Sequence, residues 1–111
     1  MEKIKHHNFP VTIENLKGTY KSFGDDDTKY PLKGITYPVD YGYIKGYVGE
    51  DGDPLDVFVG TGEVSGFIRV WRLDVPSETK IFLDVTPTEL DAIVGAFKPV
   101  LVEYECFQSS A

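Results

Sequence analysis

The chain has 111 residues, 41% of them hydrophobic, which is enough for one packed core and argues against disordered and low-complexity classes. It carries 11 basic and 18 acidic residues, and the net charge of −7 disfavours nucleic acid and anionic membranes as partners, because phosphates attract cations. A single cysteine excludes an internal disulfide framework and suits a reducing cytoplasm. The first residues lack the apolar run of a signal peptide, and no stretch is long enough to span a membrane. We therefore expect one acidic, cytoplasmic, globular domain over residues 1–111.

Most of the chain is predicted to be extended. Phe9, Val11 and Ile13 alternate with polar residues, which predicts a first strand over residues 9–14. Residues 15–29 contain glycines and an aspartate run and predict a loop or hairpin. Pro31 and Pro38 exclude a helix across residues 30–48, where extended segments joined by turns are expected. Further strands are predicted at residues 55–59, 67–73, 80–85 and 100–107.

One helix is predicted late in the chain. Thr86 and Glu89 have the spacing of a capping box, and Pro87 occupies the first helical position. The apolar residues that follow recur at helical spacing and are Leu90, Ile93, Val94 and Phe97. Pro99 is expected to end the helix. Many short strands with one helix predict a mainly β, α+β fold, a compact barrel or sandwich carrying the helix on one side.

The densest chemistry lies in residues 50–56, Glu-Asp-Gly-Asp-Pro-Leu-Asp. Asp51 and Asp53 are two residues apart, so an extended backbone points both carboxylates to one side. Pro54 biases Asp53 towards the extended region and stiffens this arrangement. Asp56 lies opposite the apolar face of the strand that follows, from which its carboxylate can turn towards the same cavity.

These carboxylates require compensation, because a pair about 5 Å apart repels by roughly 3 kcal/mol at an effective dielectric constant near 20. Water, a raised pKa or a divalent cation would provide it, and oxygen ligands suit magnesium, manganese or calcium. An acidic surface turn is the simpler alternative, since Asp-Gly and Asp-Pro pairs commonly form turns. An EF-hand is excluded, because counting from Asp51 puts Asp56 at the position of the invariant glycine.

Two blocks in this region resemble a known family. Residues 37–44, Tyr-Pro-Val-Asp-Tyr-Gly-Tyr-Ile, and residues 51–59, Asp-Gly-Asp-Pro-Leu-Asp-Val-Phe-Val, are similar in order and spacing to the signature of the family I soluble inorganic pyrophosphatases. The resemblance implies an OB-like five-stranded barrel with one main helix packed on it. It also implies hydrolysis of pyrophosphate to two phosphates, assisted by Mg²⁺ with Mn²⁺ as an alternative. Cations would activate the water and neutralise the leaving phosphate.

The resemblance also implies roles for individual residues. Asp53 would orient or deprotonate the attacking water, and Tyr41 would donate its phenol near the nucleophile or phosphate. The implied metal ligands are Asp51, Asp56, Asp74, Glu78 and Glu14, with Asp56 bridging two cations. The implied substrate-binding residues are Lys21, Lys29, Tyr37, Tyr41 and Lys80.

The sequence departs from the family pattern at several positions. Lys29 stands where the family has an arginine, Phe23 where it has a glutamate, and Glu78 where it has an aspartate; a lysine cannot make the bidentate phosphate contact of arginine. The helix lacks the family's Tyr-Lys pair. Two alternatives follow: a diverged phosphohydrolase acting on another phosphoanhydride or phosphoester, and a silent homologue that only binds metal or phosphate. A homo-oligomer is possible.

Some of these residues also have a simpler structural interpretation. Asp74 and Glu78 could belong to a polar hairpin tip, and Glu14 could be an ordinary exposed strand residue. We expect no catalytic role for Cys106, interpreted as a small buried residue on an alternating strand, or for Trp71, interpreted as part of the core.

Overall fold

The computed structural model describes residues 3–4, 9–22, 34–50, 52–71 and 77–107. Within these ranges the chain forms nine strands and one α-helix. Their bounds are β1 (Lys3–Ile4), β2 (Val11–Asn15), β3 (Tyr20–Ser22), β4 (Gly34–Thr36), β5 (Asp40–Val48), β6 (Pro54–Val59), β7 (Val64–Val70), β8 (Glu78–Val85), α1 (Pro87–Ala96) and β9 (Leu101–Cys106). The predicted β-rich class with a single helix is confirmed.

Seven strands form one mixed sheet in the order β1-β2-β5-β6-β8-β7-β9, and β3 pairs with β4 in a separate two-stranded sheet. Among the described residues the main sheet includes β9, which matches the strand predicted at residues 100–107, and the two-residue strand β1, which was not predicted. β3 lies inside the stretch that was predicted to be a loop or hairpin. It forms through antiparallel pairing with β4, in which Lys21 lies opposite Ile35. A local sequence pattern does not report such a pairing partner.

The pairing of β6 with β8 is parallel, whereas the neighbouring pairs β5–β6 and β7–β8 are antiparallel. Val57 lies opposite Ile81 and Phe58 opposite Phe82. Parallel strands begin at the same edge of a sheet, so the first residues of β6 and β8 are neighbours although they are far apart in sequence. Asp56 and Lys80 are the residues just before the Val57–Ile81 pair, and the fold thereby brings them together.

Apolar side chains cover both faces of the central strands. On one face Tyr41, Phe58 and Phe82 belong to a core that includes the helical residue Ile93 and the residue after the helix, Phe97. On the other face lies a smaller cluster of Val11, Ile44, Val57, Val59 and Leu83. Alternation along β6 therefore places Asp56 and Phe58 on the face opposite Val57, as the sequence pattern predicted.

β5 passes so close to β2 that only a glycine fits at position 42. A Cβ atom on Gly42 would overlap the backbone carbonyl oxygen of Thr12. Gly42 pairs with Ile13 on one side and with Val57 on the other. The glycine between the two tyrosines of the signature block is thus explained by the close contact of two backbones.

The helix α1 begins as predicted. The Thr86 hydroxyl accepts a hydrogen bond from the Glu89 backbone N–H (3.0 Å), and Glu89 Oε1 accepts one from the Thr86 N–H (2.8 Å). The helix ends at Ala96 and a short 3-10 turn, Lys98–Val100, follows at the predicted proline. No helix in the ranges that the structure describes has the length and hydropathy needed to cross a bilayer.

Two predictions of burial were wrong. Cys106 is exposed, and Trp71 is 36% exposed. Cys106 is the last residue of β9, and β9 is the last strand in the sheet order. An alternating sequence pattern does not by itself bury a side chain at such an edge. Trp71 follows the last residue of β7, Val70, and so lies outside the regular alternation of the sheet.

Candidate active site

The centre of the candidate site is the Lys80 ammonium group. Its side chain is 4% exposed. Nζ donates hydrogen bonds to the Tyr41 hydroxyl oxygen (2.9 Å), to Asp56 Oδ2 (2.9 Å) and to Glu78 Oε2 (3.2 Å). Three acceptors match the three N–H donors of an ammonium group, so this buried charge is well compensated.

Strand geometry explains why these four side chains meet. Glu78 and Lys80 are two residues apart on β8, so they point to the same face. Asp56 on the parallel neighbour β6 points to that face as well. Tyr41 on β5 lies opposite Phe58, two residues beyond Asp56. The site is therefore assembled from three adjacent strands.

The Asp56 carboxylate is held in its ionised form. Burial by itself would raise its pKa, but the nearby Lys80 ammonium and the hydrogen bonds from Tyr41 and Lys80 outweigh that effect, so the pKa of Asp56 is lowered from 3.8. The side chain is 27% exposed, so one part of this carboxylate faces solvent. Asp56 thus combines a fixed negative charge with access from outside.

The two tyrosines of the site are neutral at physiological pH. Burial raises the pKa of Tyr41 well above 10.0; Lys80 opposes that shift and Asp56 adds to it. Burial also raises the pKa of Tyr37, with Asp56 and Glu14 contributing in the same direction and Lys80 opposing. Glu14 lies at an irregularity in the β2–β5 pairing, close enough for its charge to act on Tyr37. Both phenols therefore keep their protons and can donate hydrogen bonds.

Aromatic rings support the ammonium group from one side. Tyr37 stacks on Tyr41 with a centroid distance of 4.5 Å, and Phe58 and Phe97 continue the row at 4.7 and 6.1 Å. Lys80 Nζ lies 5.4 Å from the ring centre of Tyr41 and 5.7 Å from that of Phe97. These distances allow cation–π attraction between the ammonium group and the two rings.

The loop between β5 and β6 brings Asp53 to the same edge of the sheet. Asp53 is exposed, and its backbone oxygen accepts a hydrogen bond from the Gly49 N–H (2.8 Å). The Glu50 carboxylate accepts two hydrogen bonds from Thr79, from the backbone N–H (3.0 Å) and from the hydroxyl (2.7 Å). Burial opposes the ionisation of Glu50, but these bonds and the charge of Arg69 outweigh it and lower its pKa from 4.5.

The structure brings together some of the predicted site residues. Tyr41, Asp56, Glu78 and Lys80 are in contact, with Tyr37 and Glu14 beside them. Lys21 is exposed on β3. Three predicted residues lie outside the described ranges: Lys29, Asp51 and Asp74. Two residues next to the site were missed by the sequence reasoning, Phe97 and Glu50. Phe97 appeared only as a helical core residue, and no pattern signals a contact between Glu50 and Thr79, 29 residues away.

The donor atoms are of the type that suits a hard divalent cation. Asp56 and Glu78 supply carboxylate oxygens, both bonded here to the Lys80 ammonium, and magnesium and manganese prefer oxygen ligands. The described ranges contain no group of three His, Cys, Asp or Glu side chains placed to hold a metal. Two of the five predicted ligands, Asp51 and Asp74, are outside those ranges. The described residues therefore match a divalent cation in the chemical type of their donor atoms.

A separate open cleft of about 170 Å³ lies near the other end of the β5–β6 pair. Lys17, Asp40, Thr61 and Glu89 are among the residues that line it. Two of these are already bonded to each other, since Asp40 accepts a hydrogen bond from the Lys17 backbone N–H. The candidate site is therefore defined by the chemistry of its side chains, and this cleft contains none of them.

Carboxylates beside lysine and tyrosine donors form a residue set that can bind phosphate groups with the help of cations. The model of the family described as Inorganic Pyrophosphatase matches residues 1–83. That match includes every residue predicted for the site. The chain belongs to the inorganic pyrophosphatase family.

Several curated relatives carry the printed name "Inorganic pyrophosphatase". That of Corynebacterium glutamicum is 43% identical over 56 residues, covering 44% of this chain and 35% of the relative. That of Streptomyces coelicolor is 38% identical over 58 residues, covering 46% and 36%. That of Corynebacterium efficiens is 39% identical over 56 residues. The chain thus spans about a third of the length of these relatives. No solved structure gives a significant match.

Proposed function

We propose that this protein hydrolyses inorganic pyrophosphate to two phosphates in a magnesium-dependent reaction. The observation that carries the proposal is the buried Lys80 ammonium bonded to Asp56, Glu78 and Tyr41, in a chain of the inorganic pyrophosphatase family. Fold and family alone do not assign an activity, whereas this arrangement supplies charged groups of both signs at one point.

The charge of the site explains why cations are part of the proposal. Asp56 and Glu78 carry two negative charges against the single positive charge of Lys80, and Asp53 and Glu14 add to the negative side. A polyanion such as pyrophosphate would be repelled unless cations came with it. The residues proposed to hold them are Asp51, Asp56, Asp74, Glu78 and Glu14. When bound, such cations neutralise phosphate charge and make water more acidic.

The chain's own residues supply the remaining steps. Asp53, exposed at the edge of the site, takes the proton from the attacking water. Tyr41 keeps its proton because its pKa is raised, so its phenol donates a hydrogen bond to a phosphate oxygen or to the water. Lys80 donates to phosphate oxygens as the substrate competes for its N–H groups. The other substrate-binding residues in the proposal are Lys21, Lys29 and Tyr37.

Release of phosphate from pyrophosphate in the presence of Mg²⁺ tests the proposal. We expect turnover by the wild-type chain and a loss of about 100-fold or more in kcat for Asp53→Asn, which removes the general base and keeps the size of the side chain. Asp91→Asn is the matched control, because Asp91 is exposed on α1 and lies outside the site. It should retain wild-type activity.

Each other outcome identifies an alternative. Turnover of a nucleotide or sugar phosphate without turnover of pyrophosphate would indicate a diverged phosphohydrolase. No turnover of either, with Mg²⁺ raising the melting temperature, would indicate a silent metal-binding homologue. Equal activity of Asp53→Asn and Asp91→Asn would refute the role of Asp53.

The proposal includes two expectations about the cell. A cytoplasmic location is supported by the single cysteine, Cys106, and is tested by fractionation of the source cells. A homo-oligomer is tested by the mass in analytical ultracentrifugation, where a monomer mass would contradict it.

A further inference from the structure

Glu50 is exposed, yet both of its carboxylate oxygens are bonded to one residue of another strand. Oε1 accepts from the Thr79 backbone N–H (3.0 Å), and Oε2 accepts from the Thr79 hydroxyl (2.7 Å). An exposed glutamate loses side-chain entropy when it is fixed in this way, so a two-point contact of this kind is a specific feature of the loop.

The loop that carries Glu50 is short and internally bonded. The Gly49 N–H donates to the Asp53 backbone oxygen (2.8 Å), and the Gly52 N–H donates to the Gly49 oxygen (3.1 Å). Gly52 has φ of +84°, a left-handed conformation that a glycine adopts without strain. Because these bonds connect the loop residues to one another, a constraint on Glu50 is also a constraint on Asp53.

Thr79 is the residue between Glu78 and Lys80 on β8. Alternation along the strand directs its side chain to the face opposite those two residues. The contact therefore attaches the loop to β8 on the face opposite the one that carries Asp56, Glu78 and Lys80.

We infer that Glu50 is a positioning residue, which holds the loop carrying Asp53 against the start of β8 and so fixes Asp53 relative to Glu78 and Lys80. The inference rests on the proposed function and goes beyond it, because Glu50 acts through Thr79 and touches neither substrate nor cation. An amide in place of the carboxylate would preserve both contacts: its oxygen accepts from the Thr79 N–H, and its nitrogen donates to the hydroxyl.

The test compares Glu50→Ala with Glu50→Gln by steady-state kinetics, with Mg²⁺ affinity by calorimetry as a second readout. We expect Glu50→Ala to lose about tenfold or more in kcat, because a displaced general base slows the chemical step. Its KM and its Mg²⁺ affinity should stay within about threefold of wild type, because Asp53 is not among the proposed metal ligands. The kcat of Glu50→Gln should stay within about threefold of wild type, since the amide keeps the contacts that orient the loop. Glu63→Ala, at an exposed glutamate of the β6–β7 loop, is the matched control and should not differ from wild type.

A second pair tests the other partner. Thr79→Val removes the hydroxyl and keeps the backbone N–H. Its kcat should therefore lie between those of wild type and Glu50→Ala, whereas the kcat of Thr79→Ser should match that of wild type. Two results would overturn the positioning role. One is a kcat of Glu50→Ala equal to that of Glu63→Ala; the other is a kcat of Glu50→Gln as low as that of Glu50→Ala, which would mean that the charge itself is needed. A wild-type chain that hydrolyses no pyrophosphate would instead overturn the proposed function.

Discussion

The hydroxyl oxygen of Tyr41 lies 2.9 Å from the Lys80 ammonium nitrogen, although the two residues are 39 positions apart in the sequence. Both side chains are buried, at 9% and 3% residue exposure. The bond joins the signature block of β5 to the strand β8, which lies two strands away in the sheet. It therefore couples the stability of the fold to the arrangement of the candidate site.

Removing the Tyr41 hydroxyl should destabilise the protein. Tyr41→Phe keeps the ring packing and leaves a buried N–H of Lys80 without this acceptor, which we expect to cost about 1–3 kcal/mol in the free energy of unfolding. Urea denaturation measures the change. Tyr47→Phe is the matched control, because Tyr47 is 49% exposed and should change stability by less than about 0.5 kcal/mol. Equal effects of the two substitutions would contradict the prediction.

Replacing Lys80 should have a larger effect. Lys80→Met keeps the length of the side chain but leaves Asp56 and Glu78 without this cation, and breaking a buried ion pair in this way typically costs about 3–5 kcal/mol. The pKa of Asp56 should rise in the variant, because burial is no longer offset by the ammonium group. Urea denaturation and carboxyl NMR titration measure the two effects. Lys45→Met, at an exposed position of β5, should have little effect, and a similar stability of both variants would refute the role of Lys80.

Glu89 predicts a pH dependence of stability. Burial opposes its ionisation, but hydrogen bonds from Thr61 and Thr86 outweigh this and lower the pKa of Glu89 from 4.5. A carboxyl with a lower pKa in the folded state stabilises that state above its unfolded pKa, and the contribution is lost as the pH falls through the folded pKa. In urea denaturation between about pH 6 and pH 3, Glu89→Gln should therefore lose less stability than wild type.

The exposed Glu63 provides the control for this pH series. Glu63→Gln should follow the wild-type curve, because the bonds that lower the pKa are made by Glu89. If Glu89→Gln and Glu63→Gln gave the same pH dependence, the bonds from Thr61 and Thr86 would not be the source of the effect.

Two glycine substitutions should change stability in opposite directions. Gly42→Ala places a methyl group against the Thr12 carbonyl oxygen, between two paired backbones, and should cost about 3 kcal/mol or more. Gly95→Ala adds a methyl group in the helix α1 with no atom within 4 Å apart from the neighbouring helix backbone, and should stabilise by up to about 1 kcal/mol. Thermal unfolding followed by circular dichroism measures both changes. A neutral Gly42→Ala would show that β2 and β5 can separate at little cost.

Elements with a local signal could be predicted from the sequence. The helix α1 followed from the spacing of Thr86 and Glu89 and from its apolar repeat, and strands such as β6 and β8 followed from runs of strand-forming residues. The direction of Asp56 away from the apolar face of β6 was also predicted, because alternation along a strand is strict.

Features that depend on tertiary pairing could not be predicted. β6 and β8 are parallel neighbours, and the chain between them forms β7. No residue pattern within β6 or β8 indicates that these two strands pair. The bond between Glu50 and Thr79 depends on that same contact. The exposure of Cys106 was missed because alternation identifies two faces of a strand but does not say whether anything covers them.

The parallel pairing of β6 and β8 has a consequence for recognising such proteins. The segment that carries the family signature, residues 37–59, contains Tyr41 and Asp56 but neither Glu78 nor Lys80. A polypeptide truncated after Gly62 would still display the signature and yet lack the ammonium group and half of the carboxylate pair around it. A sequence signature and a complete constellation of side chains are separable properties in this architecture, and only a chain that continues through β8 possesses both.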